Sequence, residues 1–386
     1  MPWNETDRVE ERMRFVARLR EGEKLVDLCR EFGISRKTGH KIKKRFEQEG
    51  LRGLEDRSRA PRRIAHRTPP EIQNLIVKAK KSKPTWGPKK LRAWLQKKHP
   101  KLNFPSANTF GYWLKKAGLV KKRGRRRRTA TPSPSRLTKP AKPNQVWGVD
   151  FKGQFRLGNG RYCYPLTITD LYSRYVVAIV ALDSTKAPPA RQAFQEVFEE
   201  YGLPEIIRSD NGAPFASTGL LGLSSLSTYW IRLGIEAERI EPGRPDQNGR
   251  QERMHLTLKE ETTRPAGHNS LQQQERFDAF REEFNEERPH EALELRPPAE
   301  LYEPSQRLFQ CPGTIQYPLH DFSCGVRGAG VIRFNGNAYY LSAALVGHEV
   351  GLREREPGRW VVSFMDLTLG YCDENEVRFH PEEPTL

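Results

Sequence analysis

Apolar residues recur at helical spacing through the first 120 positions. Phe15, Val16 and Leu19 form one stripe, and Leu25, Leu28, Cys29 and Phe32 form a second. Gly33-Ile34 interrupts the pattern, and Ser35 is placed to cap a third helix with Ile42 and Phe46 turned inward. A second helical unit is predicted over residues 68–120. It starts at Thr68-Pro-Pro-Glu71 with Thr68 as cap, and has Ile72, Leu75, Ile76 and Ala79 on its inner face. Leu91, Trp94 and Leu95 pack the next helix of that unit, and Ser106 opens a third around Phe110, Trp113 and Leu114. From Gln145 the period changes. Strands are expected over residues 145–157, 162–169, 175–182, 205–208 and 235–240, with helices over 186–203 and 250–260. Five short strands follow between Gly330 and Cys372, turned by Asn335-Gly336, Pro357-Gly358 and Asp366-Leu367, which suggests a small barrel. The stretch Ser217–Thr228 reads as an inserted loop, and residues 51–67 and 121–144 show no period at all.

The fold class expected is therefore multidomain: amino-terminal all-α modules, a central α/β core with a mixed sheet, and a carboxyl-terminal all-β barrel. The boundaries expected are 1–50 and 68–120 for two helix-turn-helix modules, 51–67 for a basic extended arm, 121–144 for a basic linker, 145–305 for the core and 306–386 for the β unit.

Charge sharpens this picture. The 386 residues carry a formal net charge of +18. Residues 1–144 hold 41 Lys and Arg against 13 Asp and Glu, whereas residues 145–386 hold 25 against 35. An all-α half with that surplus points to a polyanion, and the helix, turn, helix order lets a second helix enter a DNA major groove. Arg36, Lys37, Lys41 and Lys43 are the outward residues expected to do so. Arg62 and Arg63 in the arm could lie in a minor groove or form part of a solvated tether, and Arg125, Arg126, Arg127 and Arg128 in the linker would follow the DNA backbone. No apolar run is long enough to span a bilayer, and five scattered cysteines without a Cys-x-x-Cys pair match neither a disulfide scaffold nor a zinc finger. A reducing cytoplasm and no membrane partner are expected.

The acidic core half carries three notable carboxylates. Asp150 lies mid-strand between Val149 and Phe151, where an ionised group is costly unless paired. Asp210 ends a strand just before Asn211-Gly212, and Glu252 shares a helix face with His255 and Lys259. Trp147-Gly-Val-Asp150, Ser209-Asp-Asn-Gly-Ala-Pro-Phe215 and Asn248-Gly-Arg-Gln-Glu-Arg-Met-His-Leu-Thr-Leu-Lys259 resemble the three signature segments of integrase-type DDE transposases, the group shared by bacterial insertion sequences and retroviral integrases. Residues 285–302 resemble the tail after the catalytic core in insertion-sequence transposases. Gly33-Ile-Ser-Arg-Lys-Thr38 and Gly50-Leu-Arg-Gly-Leu-Glu-Asp-Arg-Ser58 resemble their end-binding domain.

The resemblance implies a ribonuclease H-like core with Asp150, Asp210 and Glu252 as catalytic carboxylates. Lys259 matches the lysine that approaches the transposon end, and Arg253 on the same helix is also expected to face DNA. Asp246 competes for the third place but precedes the Asn-Gly that the motif sets before its Glu. In-line displacement at phosphorus needs an activated oxygen and a stabilised leaving group, which two Mg²⁺ ions supply, with Mn²⁺ as a substitute. Three acids without a His or Cys set suit magnesium and leave no expectation of zinc. The expected partners are double-stranded DNA and further copies of the chain in a paired-end complex, in a nucleoid-associated bacterial setting, and the sequence leaves open whether an accessory ATPase is used. The alternative is a sequence-specific DNA-binding regulator or architectural factor whose core is inert; a free ribonuclease H-like nuclease would not explain two DNA-reading modules.

Overall fold

The computed structural model describes residues 7–57, 68–120 and 136–382, apart from the side chains of Pro245 and Asp246. Arg62, Arg63 and Arg125 to Arg128 lie outside the described residues, as does the side chain of Asp246. Two compact units are present, Met1–Thr68 and Pro69–Leu386.

The first unit holds α1 (Arg8–Arg20), α2 (Leu25–Glu31) and α3 (Arg36–Glu49). Ser35 caps α3 by accepting the Thr38 N–H at 3.2 Å, as the sequence predicts. Phe15, Val16, Leu28 and Cys29 form the core, with Ile42 and Phe46 packed against it. Gly39 allows α3 to sit this close, since a Cβ there would lie 2.5 Å from Cys29 Sγ. Residues Gly50–Leu54 make a short 3₁₀ turn that buries Leu54 in the same core, and Arg12 donates to the Leu54 carbonyl at 2.6 Å.

The second unit opens with α4 (Pro70–Ser82), α5 (Pro88–Lys98) and α6 (Ala107–Lys116), closed around Ile76, Trp86, Leu91, Phe110 and Leu114. Pro69, not Thr68, occupies the cap position of α4, because proline at the first helical position needs no partner for a missing N–H.

The central sheet runs through β1 (Val146–Phe151), β2 (Phe155–Arg156), β3 (Tyr162–Asp170), β4 (Val176–Leu182), β5 (Ile206–Ser209) and β6 (Glu236–Arg239). β3 lies between β4 and β1, antiparallel to both, and carries β2 at its end. β1, β5 and β6 are parallel, so the sheet is mixed. Between the strands, α7 (Ala187–Tyr201) and α8 (Ser225–Arg232) cover one face through Phe194, Phe198 and Trp230. On the other, α9 (Gly249–Thr262) and α10 (Ser270–Glu282) pack Met254, Leu258, Phe277 and Phe280 against Val176 and Ile179. Burial on both faces explains the unbroken apolar run of β4 and the mostly buried residues of β3. Helix α8 corrects the loop expected over Ser217–Thr228. Ser224 and Ser227 form a reciprocal capping box, and Leu226, Tyr229 and Trp230 are buried, so serines that read as loop are helix-starting residues.

The carboxyl-terminal strands are β7 (Phe322–Gly325), β8 (Val331–Phe334), β9 (Asn337–Tyr340), β10 (Glu349–Glu356), β11 (Arg359–Phe364), β12 (Leu367–Asp373) and β13 (Arg378–Pro381). All five expected strands form; β7 and β13 were not anticipated. Asn335 and Gly336 both adopt positive φ in the tight turn between β8 and β9. The five-stranded sheet in the order β13-β12-β11-β10-β7 is open, and the β8-β9 hairpin is a separate ladder, so the described residues show no closed barrel. The two ladders share one core, built on Ile332, Phe334, Val350, Leu352 and Phe364. No helix among the described residues is long and apolar enough to cross a membrane, and all five cysteines are free.

Candidate active site

Asp150 sits near the end of β1, paired in register with Thr167 of β3. On the other side β1 runs parallel to β5, with Gly148 beside Arg208. Continuing that register by two residues brings Asp210, just past the end of β5, alongside Asp150. Parallel neighbours in register project to one face, so this register sets both carboxylates on one face at the carboxyl edge of the sheet, close enough for the charge of Asp210 to act on Asp150. Asp210 Oδ1 also accepts the Gly212 N–H at 3.1 Å, which shapes the turn there, and Asn211 Nδ2 donates to the Ile240 carbonyl at 2.8 Å.

Glu252 arrives from the first turn of α9, and two buried polar residues on that helix set its position. Gln251 packs directly over Gly148: a Cβ at Gly148 would collide with the Gln251 amide nitrogen and lie 2.8 Å from Leu171 Cδ2. One turn on, His255 Nε2 is 2.8 Å from Thr167 Oγ1, which itself donates to the Asp150 carbonyl at 3.0 Å. Glu252 lies between these pegs in sequence and remains exposed.

Electrostatics ties the three acids together. Burial raises the Asp150 carboxyl to about 6; the hydrogen bond from Asn248 opposes that rise, while the charges of Asp210 and Glu252 add to it. Asn248 Nδ2 donates to Asp150 Oδ2 at 2.8 Å, and His255 Nδ1 is 3.8 Å from the same oxygen. Burial, assisted by Lys152, lowers His255 to about 4, so the imidazole beside the carboxyl is neutral near pH 7. Among the described residues, no group of three or more Asp, Glu, His and Cys side chains is gathered closely enough to hold a metal ion. The donor chemistry nevertheless suits a hard cation: the acids that perturb Asp150 offer only oxygen, and one of its own oxygens is held by an amide rather than by a fixed cation.

The remaining expected residues are spread more widely. Arg36, Lys37, Lys41 and Lys43 are exposed along α3, with Lys43 4.0 Å from Glu47, and Arg253 and Lys259 are exposed on α9. Lys152 was missed by sequence reasoning. It lies close enough to Lys259 and Asp150 for both charges to act on it, which gives the site a cationic flank. Asn248, Gln251 and Thr167 were also missed as neighbours of the acids. Only the Asn-Gly ahead of the helix hinted at Asn248.

The chain matches known families in the same order as its elements. Residues 140–245 and 233–298 match two integrase core domain families, residues 11–62 a helix-turn-helix domain and residues 38–114 a homeodomain-like domain. An insertion element IS407 protein of Burkholderia multivorans is 27% identical over 203 residues, 52% of this chain and 71% of that protein. The Gag-Pol polyprotein of baboon endogenous virus is 32% identical over 136 residues, 35% of this chain but 7% of the polyprotein. Similar solved structures include the HTLV-2 integrase catalytic core domain in complex with magnesium, at 15% identity and TM-score 0.35 over 43% of this chain and 100% of that one. A simian T-cell lymphotropic virus intasome chain is similar at 14% identity and TM-score 0.38 over 68% of this chain and 90% of that one.

Proposed function

We propose that this chain, an integrase-core protein with helix-turn-helix domains ahead of the core, is a DNA transposase that binds the ends of a mobile element, cleaves them and joins them to target DNA. The observation that carries the reading is the register that sets Asp210, just past the end of β5, beside Asp150 of the parallel strand β1, with the charges of Asp210 and Glu252 both acting on Asp150. Asp150, Asp210 and Glu252 are the residues that would hold two magnesium ions. Bound there, the ions would activate the attacking oxygen and stabilise the leaving one.

The chain's own residues then have definite tasks. Asn248 orients Asp150 through its amide, and Gln251 and His255 fix the helix that carries Glu252. Neutral His255 adds no competing positive charge. Lys152, Arg253 and Lys259 supply cations for the DNA strand entering the site. The modules at 1–50 and 68–120 read the element ends with Arg36, Lys37, Lys41 and Lys43 among the contacts, the basic segments 51–67 and 121–144 follow the backbone, residues 145–305 do the chemistry, and residues 306–386 form an all-β unit. Joining two ends calls for a multimer, working on the bacterial nucleoid.

The test is joining of a labelled DNA end to a plasmid with Mg²⁺, Mn²⁺ or EDTA, the end having first been selected on the intact chain. Joining that needs the metal and is lost in Glu252→Gln is expected. Tight, specific binding with no cleavage or joining under any metal would replace the transposase with a DNA-binding regulator.

A further inference from the structure

A cavity of about 420 Å³ opens beside the candidate carboxylates. Its floor includes Gly148, Ser209, Asn248 and Gln251. Ser209 directly precedes Asp210, and Asn248 is the residue hydrogen-bonded to Asp150, so the cavity and the acids are immediate neighbours.

The walls have the opposite charge to the acids. Lys139, Arg174, Arg208, Arg244 and Arg250 line the cavity, and among the described residues no Asp or Glu does. Two of these cations are already answered from outside it: Arg208 Nε is 2.6 Å from Glu238 and Arg244 Nη1 is 3.3 Å from Glu241. The other two guanidiniums are different. Arg250 donates to the neutral Leu171 carbonyl at 3.0 Å, and neither Arg174 nor Arg250 forms an ion pair among the described residues. Burial, with the like charges of Arg250 and Arg253, pushes Arg174 down to about 10. A partly buried cation crowded by other cations lowers its free energy by taking an anion. Two further features narrow the ligand. The buried Gln251 Oε1 has no hydrogen-bond partner, which leaves an acceptor for a ligand donor, and the exposed Tyr172 ring stands at the wall as a stacking surface.

We propose that this cavity holds a phosphodiester of the DNA strand undergoing reaction, gripped by Arg174 and Arg250, with the adjoining nucleotide against Tyr172. The site would act as a clamp that sets the position of the strand relative to Asp150 and Asp210. Phosphates repeat along a strand, so a strand reacting at the carboxylates also presents neighbouring phosphates beside them. Bidentate guanidinium contacts suit that group better than a lone ammonium does. The inference rests on the reading that DNA reaches the acids, but it assigns a separate binding site.

The test is photo-cross-linking of the full chain to a short oligothymidylate carrying thiothymidine. It is run in EDTA, so that no catalysis is required, with peptides mapped by mass spectrometry. A cross-link at Tyr172 is expected, competed by inorganic pyrophosphate and absent with an uncharged methylphosphonate backbone. Arg174→Gln should lower its yield about tenfold, the size of one charge-assisted hydrogen bond, and Arg174→Lys, which keeps the charge but loses the bidentate fork, should give a yield between the two. The methylphosphonate comparison uses the wild-type chain and stands even if a variant misfolds. Cross-links confined to residues before Arg136, outside the cavity lining, would overturn the proposal. So would pyrophosphate binding without any oligonucleotide cross-link at Tyr172, which would mark a site for a free anion. Cross-linking at Tyr172 in a chain that never joins DNA would leave the clamp standing and remove only the transposase reading.

Discussion

The side-chain amide of Asn248 donates to Asp150 Oδ2 at 2.8 Å, and this bond opposes the rise that burial imposes on the carboxyl. It does not cancel it: Asp150 stands at about 6 against an ordinary 3.8. A native value above the unfolded one means that the folded state binds the proton more tightly. Stability therefore falls as pH rises from about 4 to about 6 and stays lower above that. Replacing the group with a neutral isostere removes the burden. In EDTA, Asp150→Asn is expected to be more stable than the wild type by on the order of 2 kcal/mol at pH 7.5, with no gain at pH 3.5. Urea denaturation at the two pH values checks it; a variant less stable at pH 7.5 would show that the carboxyl contributes structure rather than strain.

Gly148 is the point at which α9 meets β1. A methyl group there collides with Gln251 and Leu171, both buried, so the helix must shift. Gly148→Ala is expected to cost about 1–3 kcal/mol, the usual range for overpacking a close contact. DNA joining should be reduced much more than DNA binding, because Glu252 rides on the displaced helix while α3 does not. Parallel measurement of the denaturation midpoint, filter binding and joining separates the two effects.

Magnesium should act on stability as well as on chemistry. A cation beside Asp150 favours the ionised carboxyl, and anything that binds only the folded state stabilises it. At a metal concentration tenfold above its dissociation constant the gain is about 1.4 kcal/mol, or about 3 °C in melting temperature for a domain of this size. A saturable shift of that size is expected for the wild type, and none for Asp150→Asn. Equal shifts in both proteins would place the ion elsewhere.

The elements that carry Asp150, Asp210 and Glu252 were legible in the sequence, and the surroundings of these residues were not. Asp150 within an apolar run, Asp210 before Asn211-Gly212 and Glu252 at a helix start are local signals, and each lies on the element its local pattern predicts. Asn248, Thr167, Gln251 and His255 acquire their roles only where α9 crosses the sheet, and no periodicity along one segment encodes that crossing. Helix α8 was hidden for a different reason. Its serines are caps and buried hydroxyls, residue types shared with loops, and they mask the helical stripe of Leu226, Tyr229, Trp230 and Leu233. The β8-β9 turn was legible because Asn335-Gly336 is one of few pairs that tolerate positive φ twice. Strands β7 and β13 are four residues each and partly exposed, which leaves little alternation to read.

The charge surplus of the amino-terminal half suggests lysines free for DNA, but α4–α6 spends several of them on the core. Lys83 Nζ lies 2.7 Å from Glu283 and 3.3 Å from Glu287, and Trp94 Nε1 donates to Glu287 at 3.2 Å. Lys97 meets Glu300 at 2.7 Å and Lys89 meets Glu291 at 3.3 Å. Exposure decides which of these holds the module. The Lys83 side chain is 15% exposed, so its pair is poorly screened and its loss should cost about 1–3 kcal/mol. Lys97 is 64% exposed, and such a pair contributes only about 0–1 kcal/mol. Lys83→Met is thus expected to loosen α5 from the core and Lys97→Ala to leave it in place. The Trp94 indole N–H resonance reports the difference directly, since its partner Glu287 belongs to the core. It should move in Lys83→Met and move further as salt is added, while staying near its wild-type position in Lys97→Ala. If Lys97→Ala moved it as far as Lys83→Met does, docking would depend on the exposed pairs, and the module would already be released at moderate salt.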